Sequence, residues 1–414
     1  MKLVKTEDAV GMVLCHDITQ IIKGVTKDAV FRKGHIIREE DIPVLLNCGK
    51  ENVYVLELGK PGMSGQSSDN RTSSDCDRIV TDEEYGREYG RGMIHENEAA
   101  SFLCDLCQGA NLRRGCVKEG KLEMFAECDG LLKVNEAGVR IVNSAGQMMI
   151  ASRHGNFPVK KNDKIAGTRI IPLVIEEEKL LKVRERIAKL DDKPLYSILS
   201  FRHKRAAIIA TGSEVQKGRI KDTFTPVIEG KLSEYDAEVV YRACPGDDHE
   251  AITEEIMSAV NEYGADMVLC TGGMSVDPDD RTPLAIRNTG ADIVCYGAPV
   301  LPGAMFMLAY LKRPETAADR EEGNESAAVE DDCAAMGNRG EVCNNGDASV
   351  KKARIPVMGL PGCVMFHGRT IFDLVLPRIM ADDPVSSDEI TALGTGGMCL
   401  NCETCTFPNC GFGK

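Results

Sequence analysis

From residue 203 onward the chain repeats one rhythm: a short apolar run, a polar loop, then an amphipathic stretch. The apolar runs are AAIIA, EVVYRA, DMVLC, DIVCY and IPVMGL. The stretches between them read as helices over 223–235, 248–263, just after Arg281, over 304–311 and over 370–380. Strands so short and so free of polar faces are buried on both sides. The pattern therefore predicts an α/β domain over 203–384, three layers deep, around a mostly parallel sheet.

The text before residue 203 is less regular. Strand-like runs over 18–22 and 53–58 and a helix over 39–47, with acids in its first turn, predict a small α+β unit over 1–58. Residues 59–92 lose apolar periodicity and fill with Gly, Ser and Asp, the composition of a linker or insert. A helix follows over 94–109, with Gly109 as its C-cap, and then short strands separated by CDG, NEAG, NSAG and KKND turns, so that 93–175 forms a helix plus a β-rich unit. NEAG is expected to join two strands. Residues 176–202 begin with a charged helix that suggests a connector. Residues 312–354 interrupt the α/β rhythm with acidic text too poor in apolar residues to pack, and read as a solvated insertion.

Composition narrows the partners. Lys+Arg 50 against Asp+Glu 64 gives a net charge of -14, a field that repels polyanions and argues against nucleic acid. No apolar run approaches the ~20 residues of a membrane helix, and no secretory signal opens the text, so a cytoplasmic protein is expected. In that compartment the 17 cysteines should be largely reduced, and a cluster of them reads as metal or redox chemistry.

Three loops at the carboxyl ends of the expected strands share a chemistry. They are Thr211-Gly212-Ser213-Glu214, Thr271-Gly272-Gly273-Met274-Ser275 running on to Asp280, and Gly359-Leu360-Pro361-Gly362-Cys363. Glycines let backbone N–H groups approach an anion, hydroxyls add donors, and ligands of open parallel sheets bind at this edge. Carboxylates beside an anion make electrostatic sense only around a divalent cation, for which Glu214 and Asp280 are the candidates. Asp277 and Asp279 read as turn or N-cap residues. Lys217, Arg219, Arg281 and Arg287 stand near the loops as phosphate partners or as solvated charges, and His367 follows the last of them.

At TGSEV, TGGMSVDPDD and GLPG, in this order and strand context, residues 203–383 resemble the molybdopterin-binding fold shared by molybdopterin molybdenumtransferases. The opening KTEDAVGMVLCHDIT and FRKGHIIREEDI are similar to a bacterial, anaerobe-type variant of this group. The resemblance implies a cleft for molybdopterin or its adenylated form. It further implies an enzyme that places molybdenum from molybdate on the dithiolene while a Mg-dependent step releases AMP. Glu214 and Asp280 would be its acidic active-site residues, Gly272, Gly273 and Ser275 its anion loop, and Pro361 and Gly362 its third wall. Relatives of this kind suggest a homodimer. Thr211, Gly212, Ser213, Thr271 and Gly359 complete the expected ligand-binding set.

The chain ends in GTGGMCLNCETCTFPNCGFGK, which sets Cys399, Cys402, Cys405 and Cys410 in a C-x2-C-x2-C-x4-C array. Such spacing suits an iron–sulfur cluster or zinc. Cys104 and Cys107, on the expected helix, suit the core instead, and the lone His16 and His35 suit structural roles. Two further readings stay open: a non-catalytic molybdopterin carrier that responds to redox state through its cysteines, and a nucleotide-binding α/β domain with structural zinc.

Overall fold

A computed structural model describes residues 2–22, 26–56, 92–190, 193–275, 277, 280–313 and 354–414. The linker and acidic insertion expected over 59–92 and 312–354 fall, apart from their ends, outside the described residues, as does Asp279. The chain divides into two compact units, one of Met1–Gly155 with Val159–Ser200 and one of Asn156–Pro158 with Phe201–Lys414.

The first unit opens with a three-stranded antiparallel sheet of Lys2–Lys5, Asn52–Leu56 and Val13–Leu14, closed over Leu14, Ile37, Leu45, Val53 and Val55. The helix expected over 39–47 is split into a 3-10 turn, Glu39–Asp41, and a helix, Ile42–Asn47. Asp41 marks the break: its carboxylate accepts the Arg38 N–H at 2.8 Å and meets His35 Nε2 at 2.7 Å, which also gives His35 its structural role.

The β-rich part is a four-stranded antiparallel sheet, Met148–Ser152, Lys164–Ile170, Lys121–Ala126 and Leu112–Arg114, packed against the helices Glu96–Cys107, Glu136–Ser144 and Glu177–Ala188. Three sequence expectations are corrected here. NEAG is not a hairpin turn: Asn135 caps a helix by accepting the Gly138 N–H at 3.0 Å, and Val142 of that helix is buried. Gly109 is not a C-cap. It lies against the strand Tyr196–Ser200, where a Cβ would stand 2.6 Å from the Tyr196 carbonyl, and the cap is Gln108. The charged helix Glu177–Ala188 is built into this unit by buried Leu180, Val183 and Ile187. Cys104 and Cys107 are wholly buried, as their helix spacing suggested, and burial pushes the Cys104 thiol up to about 11.

The second unit is α/β. Its sheet has six strands in the order Glu238–Ala243, Arg205–Ala210, Met267–Thr271, Arg354–Leu360, Met307–Lys312, Asp292–Tyr296. The first four are parallel and the last two alternate in direction. Alternate residues feed two separate cores. Ala206, Ile208, Met267, Leu269, Met358 and Leu360 face one layer, with Ile228, Leu232, Phe372 and Val375 of the helices Phe224–Ser233 and Ile371–Met380. Ala207, Ile209, Val268, Cys270, Ile355 and Val357 face the other, with Ile252, Ile256 and Ile286 of the helices His249–Asn261 and Thr282–Asn288. That two-sided burial is why these strands carry no polar face.

The expected helix over 304–311 is instead the strand Met307–Lys312. Leu308 and Tyr310 point into one core and Met307, Ala309 and Leu311 into the other, so the segment divides its side chains with period two. It fills the gap between Arg354–Leu360 and Asp292–Tyr296, and makes the sheet mixed.

One acid-labile feature stands out in the first unit. His95 caps the helix Glu96–Cys107 by accepting the Asn97 N–H on Nδ1 at 3.3 Å, which requires a neutral ring. Burial, with Lys33 nearby, lowers its pKa to about 4. Because the folded value lies below the unfolded ~6.5, the associated stability is present above that pH and is lost as pH falls towards 4. Melting temperature should therefore climb with pH through this window. His95→Asn, which keeps a capping oxygen without a titrating ring, should flatten that limb; an unchanged profile would reject the assignment.

Candidate functional site

The parallel pairing sets Ala210 opposite Thr271 and Thr271 opposite Leu360, so the three glycine-bearing loops leave the same edge of the sheet. The first two loops are locked together. Thr211 N–H and Oγ1 both donate to the Thr271 carbonyl, at 2.7 and 3.0 Å. Thr282 Oγ1 donates to the Gly272 carbonyl at 2.9 Å and stands 3.3 Å from Thr211 Oγ1. Thr211 and Thr282 are buried, so their hydroxyls need these partners.

The glycines of the second loop are demanded by that closeness. Gly272 has φ +84°, and a Cβ there would fall 2.6 Å from the Thr211 carbonyl; at Gly273, with φ +55°, it would fall 2.8 Å from Thr282 Oγ1. Carbonyls of this loop are engaged, Ser275 by the Tyr296 hydroxyl at 3.3 Å and Gly273 by the Thr282 N–H. The N–H groups of Gly272, Gly273, Met274 and Ser275 find no acceptor among the described residues. Backbone donors placed on a braced loop in this way are able to receive an anion.

The remaining candidates are placed less uniformly. Ser213 is committed: its N–H and hydroxyl both donate to Asp247 Oδ2, at 2.8 and 2.6 Å. Gly212, at φ +129°, makes the turn into the short helix Ser213–Gln216, and exposed Glu214 folds its carboxylate back over that turn, 3.8 Å from where a Gly212 Cβ would be. Asp280 is half-buried and closes a turn by donating its N–H to the Asp277 carbonyl at 3.0 Å. Gly359 lies inside the strand Arg354–Leu360 and makes room for the buried Met274 side chain, whose sulfur is 2.5 Å from the Cβ position. Pro361 is buried and Gly362 is exposed at the start of Cys363–Phe366. Lys217, Arg219 and Arg281 make no ion pair among the described residues, while the Arg287 guanidinium sits 5.9 Å from the Tyr296 ring.

Among the described residues, no three His, Cys, Asp or Glu side chains are gathered to hold a metal ion. The four cysteines of the final segment, expected to wrap one centre, differ in burial. Cys399 and Cys410 are half-buried against the α/β core, and Cys402 and Cys405 are exposed. The segment is pinned at both ends, by the Leu301 N–H to the Gly397 carbonyl and the Cys399 N–H to the Leu301 carbonyl, each 2.8 Å, and by buried Phe412.

Three contributors escaped the sequence reading: Asp247, Thr282 and Tyr296. Asp247 and Thr282 sit in PGDDHE and DDRTP, text that signals helix starts, and Tyr296 ends a strand; their contacts span 34, 71 and 21 positions of sequence, beyond any local signal.

Residues 207–381 match the family described as a probable molybdopterin binding domain, MoCF_biosynth. The match falls within the α/β unit and likens it to molybdopterin-binding domains. Residues 3–57 match a domain of unknown function, DUF8806. Over 86 residues the chain is 36% identical to the "Putative competence-damage inducible protein" of Bacillus velezensis, 21% of this chain and 20% of that protein. It is 31% identical over 86 residues to the molybdenum cofactor biosynthesis bifunctional protein of Synechococcus elongatus, 21% of this chain and 27% of that one. The chain thus spans about a fifth to a quarter of the length of these curated relatives. The tungsten cofactor synthesizing protein MoaB from Pyrococcus furiosus is similar at 19% identity, covering 44% of this chain and 98% of that chain, with a TM-score of 0.26.

Gly272→Ala tests the cradle. Its Cβ meets backbone at a positive φ, so the substitution should shift the loop and cost on the order of 1–3 kcal/mol of stability, read as a lower melting temperature. An unchanged melt would show that the loops are not braced here.

Proposed function

We propose that the α/β unit binds molybdopterin or its adenylated form at this edge, and that the protein inserts molybdenum from molybdate into the dithiolene with Mg-dependent release of AMP. The observation that carries the reading is the set of N–H groups from Gly272 to Ser275 that have no acceptor among the described residues, on a loop held by buried hydroxyls. The match of residues 207–381 supports the ligand class. The ligand's phosphate would lie on those N–H groups, with Arg281, Lys217 and Arg219 supplying countercharge in an acidic protein.

Glu214 and Asp280 are the residues that would hold magnesium, an ion commonly bound by only one or two carboxylates together with substrate phosphates. When bound, it would neutralise charge developing on the phosphoanhydride. Asp247 acts as a positioning residue, since both hydrogen bonds that orient Ser213 end on its carboxylate. Buried Thr211 and Thr282 keep the cradle from collapsing when the anion leaves.

Protein isolated without oxygen is expected to carry a fluorescent pterin, or to take up added molybdopterin. Asp280→Asn should retain that ligand while AMP release from adenylated molybdopterin falls by about 10²-fold or more. Undiminished release would remove Asp280 from the active site, whereas absence of turnover in both proteins with ligand bound would mark a carrier. Failure to bind any pterin would defeat the reading.

A further inference from the structure

Behind the third loop, a lysine is buried on a helix whose inward face is otherwise apolar. Ile228 and Leu232 of Phe224–Ser233 enter the core, and Lys231 between them is 7% exposed. Lysine is buried to this degree only when paired. Its ammonium donates to Asp373 Oδ1 at 2.7 Å and to the Gly368 carbonyl at 2.8 Å. Gly368 lies just past the single helical turn Cys363–Phe366, into which the third loop leads.

The ion pair alone does not account for a lysine here. Apolar side chains of like volume commonly stabilise a core as well as a buried pair does, because both charges of the pair lose their water. Nor does Asp373 depend on Lys231. Its Oδ1 also accepts from Arg369 Nη1 at 2.9 Å, and its Oδ2 accepts the Thr370 N–H at 2.7 Å, so it can cap the helix Ile371–Met380 without the lysine. The contribution particular to Lys231 is the tie to Gly368.

A single helical turn has no stability of its own, so Cys363–Phe366 depends on what holds it. Within it the Val364 N–H donates to the Pro361 carbonyl at 3.0 Å, and the Met365 and His367 N–H groups donate to the Gly362 and Cys363 carbonyls, each at 3.1 Å. Buried Val364 fixes its middle. Beyond its end, His367 meets exposed Asn401 at 3.3 Å, and the Arg369 guanidinium stands 5.0 Å from the Phe407 ring. A charge-assisted hydrogen bond kept from water outweighs both. We propose that Lys231 is a positioning residue of the candidate site: its ammonium holds the Gly368 carbonyl, and so fixes the turn that Pro361 and Gly362 begin. That those two residues form a wall against a ligand rests on the molybdopterin reading above. The hold on the turn does not.

Hydrogen exchange on the full, ligand-free chain tests the hold. In K231M the amides of Met365 and His367 should exchange about tenfold faster, while those of the helix His249–Asn261, on the other face of the sheet, keep their rates. K231Q, uncharged and too short to reach both acceptors, should do the same and serves if K231M does not fold. Unchanged exchange at Met365 and His367 would overturn the proposal. So would equal acceleration throughout the unit, the mark of a merely structural lysine.

A second arm measures binding of adenylated molybdopterin. If the held turn is populated to about a tenth, affinity falls about tenfold, with a much smaller drop in AMP release at saturating ligand, because the bound ligand selects the held form. Equal affinity in a variant whose turn has loosened would remove Lys231 from the site. Failure of the wild-type chain to bind any pterin would defeat the functional reading instead, and the exchange rates would still decide whether Lys231 holds the turn.

Discussion

The hydrogen bonds from Thr211 to the Thr271 carbonyl hold two adjacent strand ends at one height, and the arrangement of the candidate site depends on them. With Thr271 as the common acceptor, the first loop is drawn so near the second that only glycine is accommodated at 272 and 273. Thr282, reaching back from the next helix, closes the brace from the far side. Polar groups buried this completely are costly unless satisfied, and that cost keeps the loop in one conformation. The carbonyls of Gly272, Gly273 and Ser275 are engaged, and the N–H groups of the loop find no partner among the described residues.

Beneath the loops, the sheet acts as a partition. Alternate side chains of Arg205–Ala210, Met267–Thr271 and Arg354–Leu360 enter opposite cores, each roofed by two helices. A layer fixed from both faces leaves strand ends little freedom, which suits a site assembled from three separate connections. The final segment is tied to the same unit through Leu301 and Phe412, so its exposed cysteines are carried on a rigid base next to the third loop.

Charge adds a second level of order. The chain is strongly acidic overall, yet Lys217, Arg219 and Arg281 flank two of the loops without ion pairs among the described residues. Other cations of the unit are spent internally: Lys231 on Asp373, Arg378 on Asp383 and Glu389, Lys204 on Asp382. A few cations without ion pairs can offset locally a field that is negative over the chain as a whole.

The apolar runs and their spacing determined the α/β architecture, because strands covered on both faces can tolerate no polar side and the helices between them must show one. The glycine-rich strand ends were legible too, since small residues and hydroxyls leave a compositional trace. Tertiary structure alone decided that 307–312 is a strand and that 136–144 is a helix, as short apolar segments satisfy either period until neighbours select one. It also decided that Asp247 orients Ser213, that Thr282 braces the glycines, and that Cys399 and Cys410 pack against the core while Cys402 and Cys405 stay exposed. Those outcomes depend on contacts between residues far apart in the chain, and the local pattern of a sequence carries no record of which distant group arrives.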